Sequence, residues 1–165
     1  MSPLRILAVS PLLGYYHDRL AAEVPKATHH GVIVSIQSVP VKLHAHGAVG
    51  EYLPPLDRHR SPNPAWFEDY STDLSHGDHQ CVYIPGETAM DLPLGNVYLE
   101  VTKGFEVKPV RRVVKVTRAT ETITIELDKV LYWREQGWVS ADTHVHFLSP
   151  GTAMLEGATE DVNLI

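Results

Sequence analysis

A single cysteine, Cys81, stands among 165 residues, which excludes an intrachain disulfide framework and any multi-cysteine zinc site. No run approaches the roughly 18 apolar residues of a membrane-spanning helix, so no membrane span is expected. Positive charge is short as well: 14 Lys+Arg stand against 20 Asp+Glu, a formal net charge of -6. No basic run relieves that balance, so a nucleic-acid partner, whose phosphates require cationic side chains, is not expected. There is no Gly-rich phosphate loop and no Ser nucleophile elbow. No Asn-x-Ser/Thr acceptor occurs either, so nothing argues for secretion. The apolar run Ile6–Leu13 is interrupted by Pro11 and no small-x-small cleavage site follows. A cleaved signal is therefore not expected, and a cytoplasmic location is favoured over an extracellular one.

What is present is a chain with 44% hydrophobic and 21% charged residues, enough for a packed core in one domain or two small ones. Strand periodicity dominates. Val32–Ser38 reads VIVSIQS, and Val41, Leu43 and Ala45 alternate with Lys42, His44 and His46. Val97, Leu99 and Val101 alternate with Tyr98, Glu100 and Thr102, and Ile123, Ile125 and Leu127 alternate with Thr124, Glu126 and Asp128. Each is the period-two pattern of a half-buried strand, and the second members of each set should face solvent. Val110–Val116 is rich in β-branched residues and Cys81–Ile84 is a further short strand. Turn signals at Pro85-Gly86, Leu94-Gly95, Lys103-Gly104 and Lys108-Pro109 separate them. Short strands about ten residues apart predict a mainly β protein built as an antiparallel β-sandwich.

Two stretches depart from that pattern. From Gly47 to His79 the chain carries Pro54, Pro55, Pro62 and Pro64, which predicts one long ordered loop with a helical turn near Pro64–Asp69. From Leu131 the composition changes again; Gly137 breaks the pattern, Trp138–Phe147 reads as a new strand, and Thr152–Ala158 as a helical start. These shifts divide the chain into an N-terminal segment (1–31), a sandwich (32–130) and a C-terminal unit (131–165).

That last strand carries the chemistry. Asp142, His144 and His146 fall at i, i+2 and i+4, so in a strand all three project from one face. Two imidazoles and a carboxylate on one face suit a divalent metal such as Zn, Mn or Fe. At the histidine content of this chain roughly half a His-x-His pair is expected by chance, but an Asp two residues earlier lowers the expectation to roughly 0.03. On the opposite face fall Val139, Ala141, Val145 and Phe147, an apolar edge that calls for another strand or another chain.

The run GWVSADTHVHF followed by LSPGTAMLEGATEDVNLI resembles the first metal motif of the polymerase-and-histidinol-phosphatase (PHP) metal-dependent hydrolases, most of all their carbaryl-hydrolase-type (CehA/McbA) branch. Upstream, DLPLGNVYLEVTKGFEVKPVRRVVKV resembles the transthyretin-like, carboxypeptidase-regulatory-like β-sandwich, and GEYLPPLDRHRSPNPAWFEDY the N-terminal region of that hydrolase branch. The resemblance implies that Trp138–Phe147 is the first strand of a distorted β/α barrel, that His144 and His146 ligate a catalytic metal cluster, and that Asp142 orients them. It further implies that the remaining His, Glu and Asp ligands would lie beyond Ile165, so that this chain holds any metal weakly, has no catalytic residue of its own and is inactive alone. With the barrel's cover missing, a self-associating homo-oligomer or filament is expected, with Val145 and Phe147 at the contact. The alternatives are a part of an active metallohydrolase, with metal-activated water attacking an ester, phosphoester or carbamate, and an intersubunit metal site.

The other candidates carry less. His44 and His46 repeat the i, i+2 geometry without a carboxylate nearby in sequence. Trp66 and Phe67 form an aromatic pair beside Glu68 and Asp69, read either as rings pinning the loop to the sandwich or as a carbohydrate- or partner-contacting platform. His29-His30 before Gly31 has turn composition. Arg111, Arg112 and Lys115 form a basic patch that Glu100, Glu106 and Glu126 should offset across neighbouring strands.

Overall fold

The computed structural model describes residues 29–56, 60–62, 69–71, 73–76, 79–144 and 150–165. Ten strands run in chain order: β1 (His29–Ser35), β2 (Val41–His46), β3 (Arg60–Pro62), β4 (Asp69–Ser71), β5 (Asp73–His76), β6 (His79–Ile84), β7 (Glu87–Pro93), β8 (Gly95–Thr102), β9 (Val110–Val116) and β10 (Thr122–Thr124); one helix, α1, spans Pro150–Glu160. They build a three-stranded sheet, β10-β1-β7, and a five-stranded sheet, β5-β6-β2-β8-β9, with β3 and β4 as a separate ribbon.

One core joins the two larger sheets. Val32 and Val34 of β1, Met90 and Leu92 of β7, and Ile123 beside them meet Val41, Leu43, Val82, Ile84, Val97, Leu99 and Val101 of the other sheet. The alternation of apolar and polar residues selects this arrangement: on β8 the three aliphatic residues point inward while Tyr98 is 45% exposed, because successive side chains leave opposite faces of a strand. Ile123, Ile125 and Leu127 face the core as their spacing predicts, with Ile125 fully enclosed and Leu127 partly buried against it. Every pairing in the two sheets is antiparallel except β1 with β10, where Val34 stands beside Ile123 in parallel register. Between β6 and β7, Gly86 has φ +118°, and a Cβ there would meet the backbone of Val39 at 2.5 Å. Only glycine fits this turn.

Several expectations are corrected. His29 and His30 do not form a turn: they open β1, opposite Pro93 and Leu92 of β7, so the sandwich begins three residues before position 32. The single long loop is instead divided by β3, β4 and β5. Pro62 closes β3 as its terminal residue, where a strand tolerates the missing N–H. The helical turn expected over Pro64–Asp69 falls mainly on residues 63–68, outside the described residues, while Asp69 opens β4.

Beyond β10 the chain leaves the sandwich. A 3-10 turn at Arg134–Gln136 ends on Gly137, whose φ of +87° gives the left-handed cap. Residues 138–144 do not form the expected strand; the one bridge there is Ala141 with Leu164, in parallel. The reason is visible at Asp142, whose Oδ1 accepts the His144 N–H at 3.0 Å. This local side-chain bond takes a backbone donor away from any ladder. Trp138 and Val139 remain 67% and 78% exposed. Residues 145–147 lie outside the described residues. Helix α1 starts at Pro150, consistent with the favoured first position of proline, and covers the expected helical start at Thr152–Ala158. It buries Thr152, Gly157 and Thr159 and docks on the outer face of β2 and β6, where Glu160 pairs with Lys42 and accepts from the Tyr83 hydroxyl at 2.9 Å.

Candidate functional sites

The C-terminal unit is tied together by backbone. Residues 162–165, which follow α1, lie alongside Ser140–Asp142. Asn163 and Leu164 donate from their N–H groups to the Ser140 carbonyl, at 2.9 and 3.2 Å, and Asp142 N–H donates to the Leu164 carbonyl at 2.9 Å. The Asn163 side-chain oxygen accepts from Ser140 N–H at 2.9 Å. One parallel bridge, Ala141 with Leu164, thus joins the stretch before α1 to the stretch after it, and neither stretch forms a strand among the described residues.

Asp142 and His144 are both exposed, just after the bridged residue Ala141. Their expected side-by-side projection from a strand face is not formed, because Asp142 turns back onto the His144 backbone. His146, Val145 and Phe147 lie outside the described residues, as do Trp66 and Phe67. Among the described residues no three His, Cys, Asp or Glu side chains converge as a metal site requires.

The second place is the outer face of the five-stranded sheet. His44 of β2 stands opposite Glu100 of β8, which stands opposite Arg111 of β9. The carboxylate missing from the neighbourhood of His44 in sequence is thus supplied across the sheet. Arg111 clasps Glu100 with Nε and Nη2, at 2.6 and 3.2 Å. Burial lowers the His44 imidazole below its ordinary value, while the Glu100 charge and the Gln80 backbone oppose that shift. His46 stands opposite Tyr98, its ring 6.2 Å from that of Tyr52. His44, His46, Tyr98, Glu100 and Arg111, together with Arg112 and Val113, line an open cleft of about 500 Å³. The offset of the basic patch is realised for Arg111 by Glu100, but Glu106 turns elsewhere.

The third place was not read from the sequence. Phe105, in the turn between β8 and β9, Trp133, Trp138 and Val139 line a cleft of about 270 Å³, with Glu106, Arg134, Ser140, Asp161 and Asn163 around it. Its polar rim is internally satisfied. Arg134 N–H donates to Glu106 Oε1 at 2.9 Å, and Lys129 Nζ sits 3.0 Å from Glu106 Oε2. The Arg134 backbone donor, with help from Lys129, lowers the Glu106 carboxyl below its ordinary value. Asp161 pairs with Lys103 at 3.1 Å, and the Arg134 guanidinium donates to its carbonyl at 2.9 Å. The rings come from two stretches, Phe105 from one and Trp133 and Trp138 from the other, so sequence proximity links only the two indoles; the composition change at Leu131 was the nearest signal.

No protein-family profile, curated protein or solved structure matches the chain.

Proposed function

We propose that this chain is a non-catalytic β-sandwich module carrying the opening β–α–β unit of a PHP-type metallohydrolase barrel, and that it self-associates through the apolar surface of that unit. The observation that carries the reading is the parallel pairing of Ala141 with Leu164 around α1. A sandwich alone has no need of a helical crossover, whereas a β/α barrel is built by repeating one. Support also comes from the residues left in solvent on this unit: Trp138, Val139, Leu164 and Ile165 are all more than half exposed. Such apolar area is normally covered in a working protein.

A second reading keeps the same unit as part of an active metallohydrolase whose remaining ligands lie on further polypeptide. It is favoured by the placement of Asp142 and His144 just after the bridged residue Ala141, since β/α barrels carry their active sites at the carboxyl ends of their strands. Assays of ester, phosphoester and carbamate hydrolysis with added Zn²⁺ or Mn²⁺ separate the two. The chain alone is expected to give no turnover above the metal-only blank, since a metal activates water only in a fixed multi-ligand site with an open position. Turnover abolished by His144→Ala would overturn the non-catalytic reading.

A further inference from the structure

We propose that a second copy of this chain docks on the aromatic cleft of Phe105, Trp133, Trp138 and Val139, forming a two-fold symmetric dimer. The inference rests on the self-association in the reading above and gives it a surface. Phe105 is 71% exposed, Trp133 53%, Trp138 67% and Val139 78%, and the four line one cleft. With roughly 150–250 Å² per aromatic residue and somewhat less for Val139, the four expose at most about 550 Å² in all, backbone and indole N–H included. That stands at the upper end of the ~300–600 Å² found for the largest apolar patch on a monomer. Doubled by a two-fold axis it gives at most about 1,100 Å², just past the ~1,000 Å² that a specific interface needs.

Charge narrows the occupant. The chain carries a net charge of -6, yet the rim of this cleft is close to neutral, because Glu106 is matched by Lys129 and Asp161 by Lys103. Two copies can therefore meet here without setting like charges face to face. Trp and Arg are also the residue types that dominate the centres of protein interfaces, and Arg134 lies between the two indoles in sequence and on the cleft wall. Repulsion between two acidic copies acts at longer range and is screened by salt. Association should therefore tighten as ionic strength rises, the opposite of an acidic ligand held by Arg134.

Sedimentation velocity on the full chain tests this, run at tens of micromolar in low salt and at about 0.5 M salt. The expected result is a monomer–dimer equilibrium shifted toward dimer by salt. Trp138→Ser and Phe105→Ser, both at exposed positions, should each weaken it about tenfold or more with an unchanged circular-dichroism spectrum. Val113→Asp, on the exposed face of β9 away from the cleft, should leave it unchanged. A dimer broken by Val113→Asp and indifferent to the two serine variants would move the interface to β9 and overturn the proposal while leaving self-association standing. A monomer under all conditions would overturn both, assign the cleft to another protein or to further polypeptide, and leave the metallohydrolase origin to the hydrolysis assay.

Discussion

Ile125 lies just past the end of β10, its N–H donating to the Ser35 carbonyl at 3.0 Å and its side chain wholly enclosed between the two sheets. Ile125→Ala should therefore destabilise the fold by about 2–5 kcal/mol, the usual cost of a truncated core isoleucine plus the cavity it leaves. Urea unfolding followed by circular dichroism measures it, and a midpoint equal to wild type would remove Ile125 from the core. At this scale the sequence is most informative where burial is one-sided. Val97, Leu99, Val101 and Ile123 each alternate with polar neighbours, and each is buried. It is least informative where a residue's partner is distant. Glu100 reaches His44 only through the pairing of β2 with β8, and Phe105 shares a cleft with Trp133 and Trp138 only because two distant segments fold together. Asp142 shows the opposite failure: its spacing from His144 fits a strand face, but its short carboxylate accepts the backbone N–H two residues on instead.

Among the elements, β7 was the hardest to read. Its sequence, ETAMDLP, mixes helix-favouring Glu, Ala and Met with a terminal proline, and only pairing with β1 along all seven residues makes it a strand. Helix α1 was legible as a start after a proline, but its docking was not, since it buries only small residues and relies on polar contacts. Those contacts make it sensitive to pH. Burial raises the Glu156 carboxyl above its ordinary value, the Glu160 charge adds to this, and Lys42 opposes it. The Tyr83 phenol, raised by its own burial and by Glu160, stays neutral throughout. A carboxyl raised on folding binds its proton more tightly in the docked state. Its contribution is therefore complete below the unfolded value, about 4.3 for Glu, and is lost as pH rises through the raised value. The docked helix should loosen as pH climbs through that range, and Glu156→Gln should remove the dependence and stabilise docking at neutral pH. Helix melting followed at 222 nm across that window checks it; a wild-type profile flat in pH, or a Glu156→Gln profile that still falls, would contradict the account.

In the molecule as a whole, the sandwich and the C-terminal unit differ in what holds them. Among the described residues the apolar core is drawn from between Val32 and Leu127, with no member from beyond that point. Full burial of a Val, Leu or Ile side chain contributes roughly 1.5–3 kcal/mol, so the sandwich holds most of the stabilising area. The C-terminal unit rests instead on a single β-bridge, the Ser140–Asn163 and Asp142–Leu164 hydrogen bonds, and ion pairs such as Lys42–Glu160 and Lys103–Asp161. Partly exposed pairs of that kind are worth about 0–1 kcal/mol each. Opening of the unit should therefore precede global unfolding as a separate event, in the manner of a sub-global cooperative segment. Hydrogen exchange on the full chain makes this measurable. Amides of β1, β2 and β8 should exchange only through global unfolding, and those of α1 and of Ser140 to Leu164 through an opening of lower free energy. If α1 amides proved as protected as those of β8 in dilute solution, the unit would have to be an integral part of the sandwich. If their protection rose with protein concentration, a second copy closing over the cleft would account for it, because association stabilises only the state that binds.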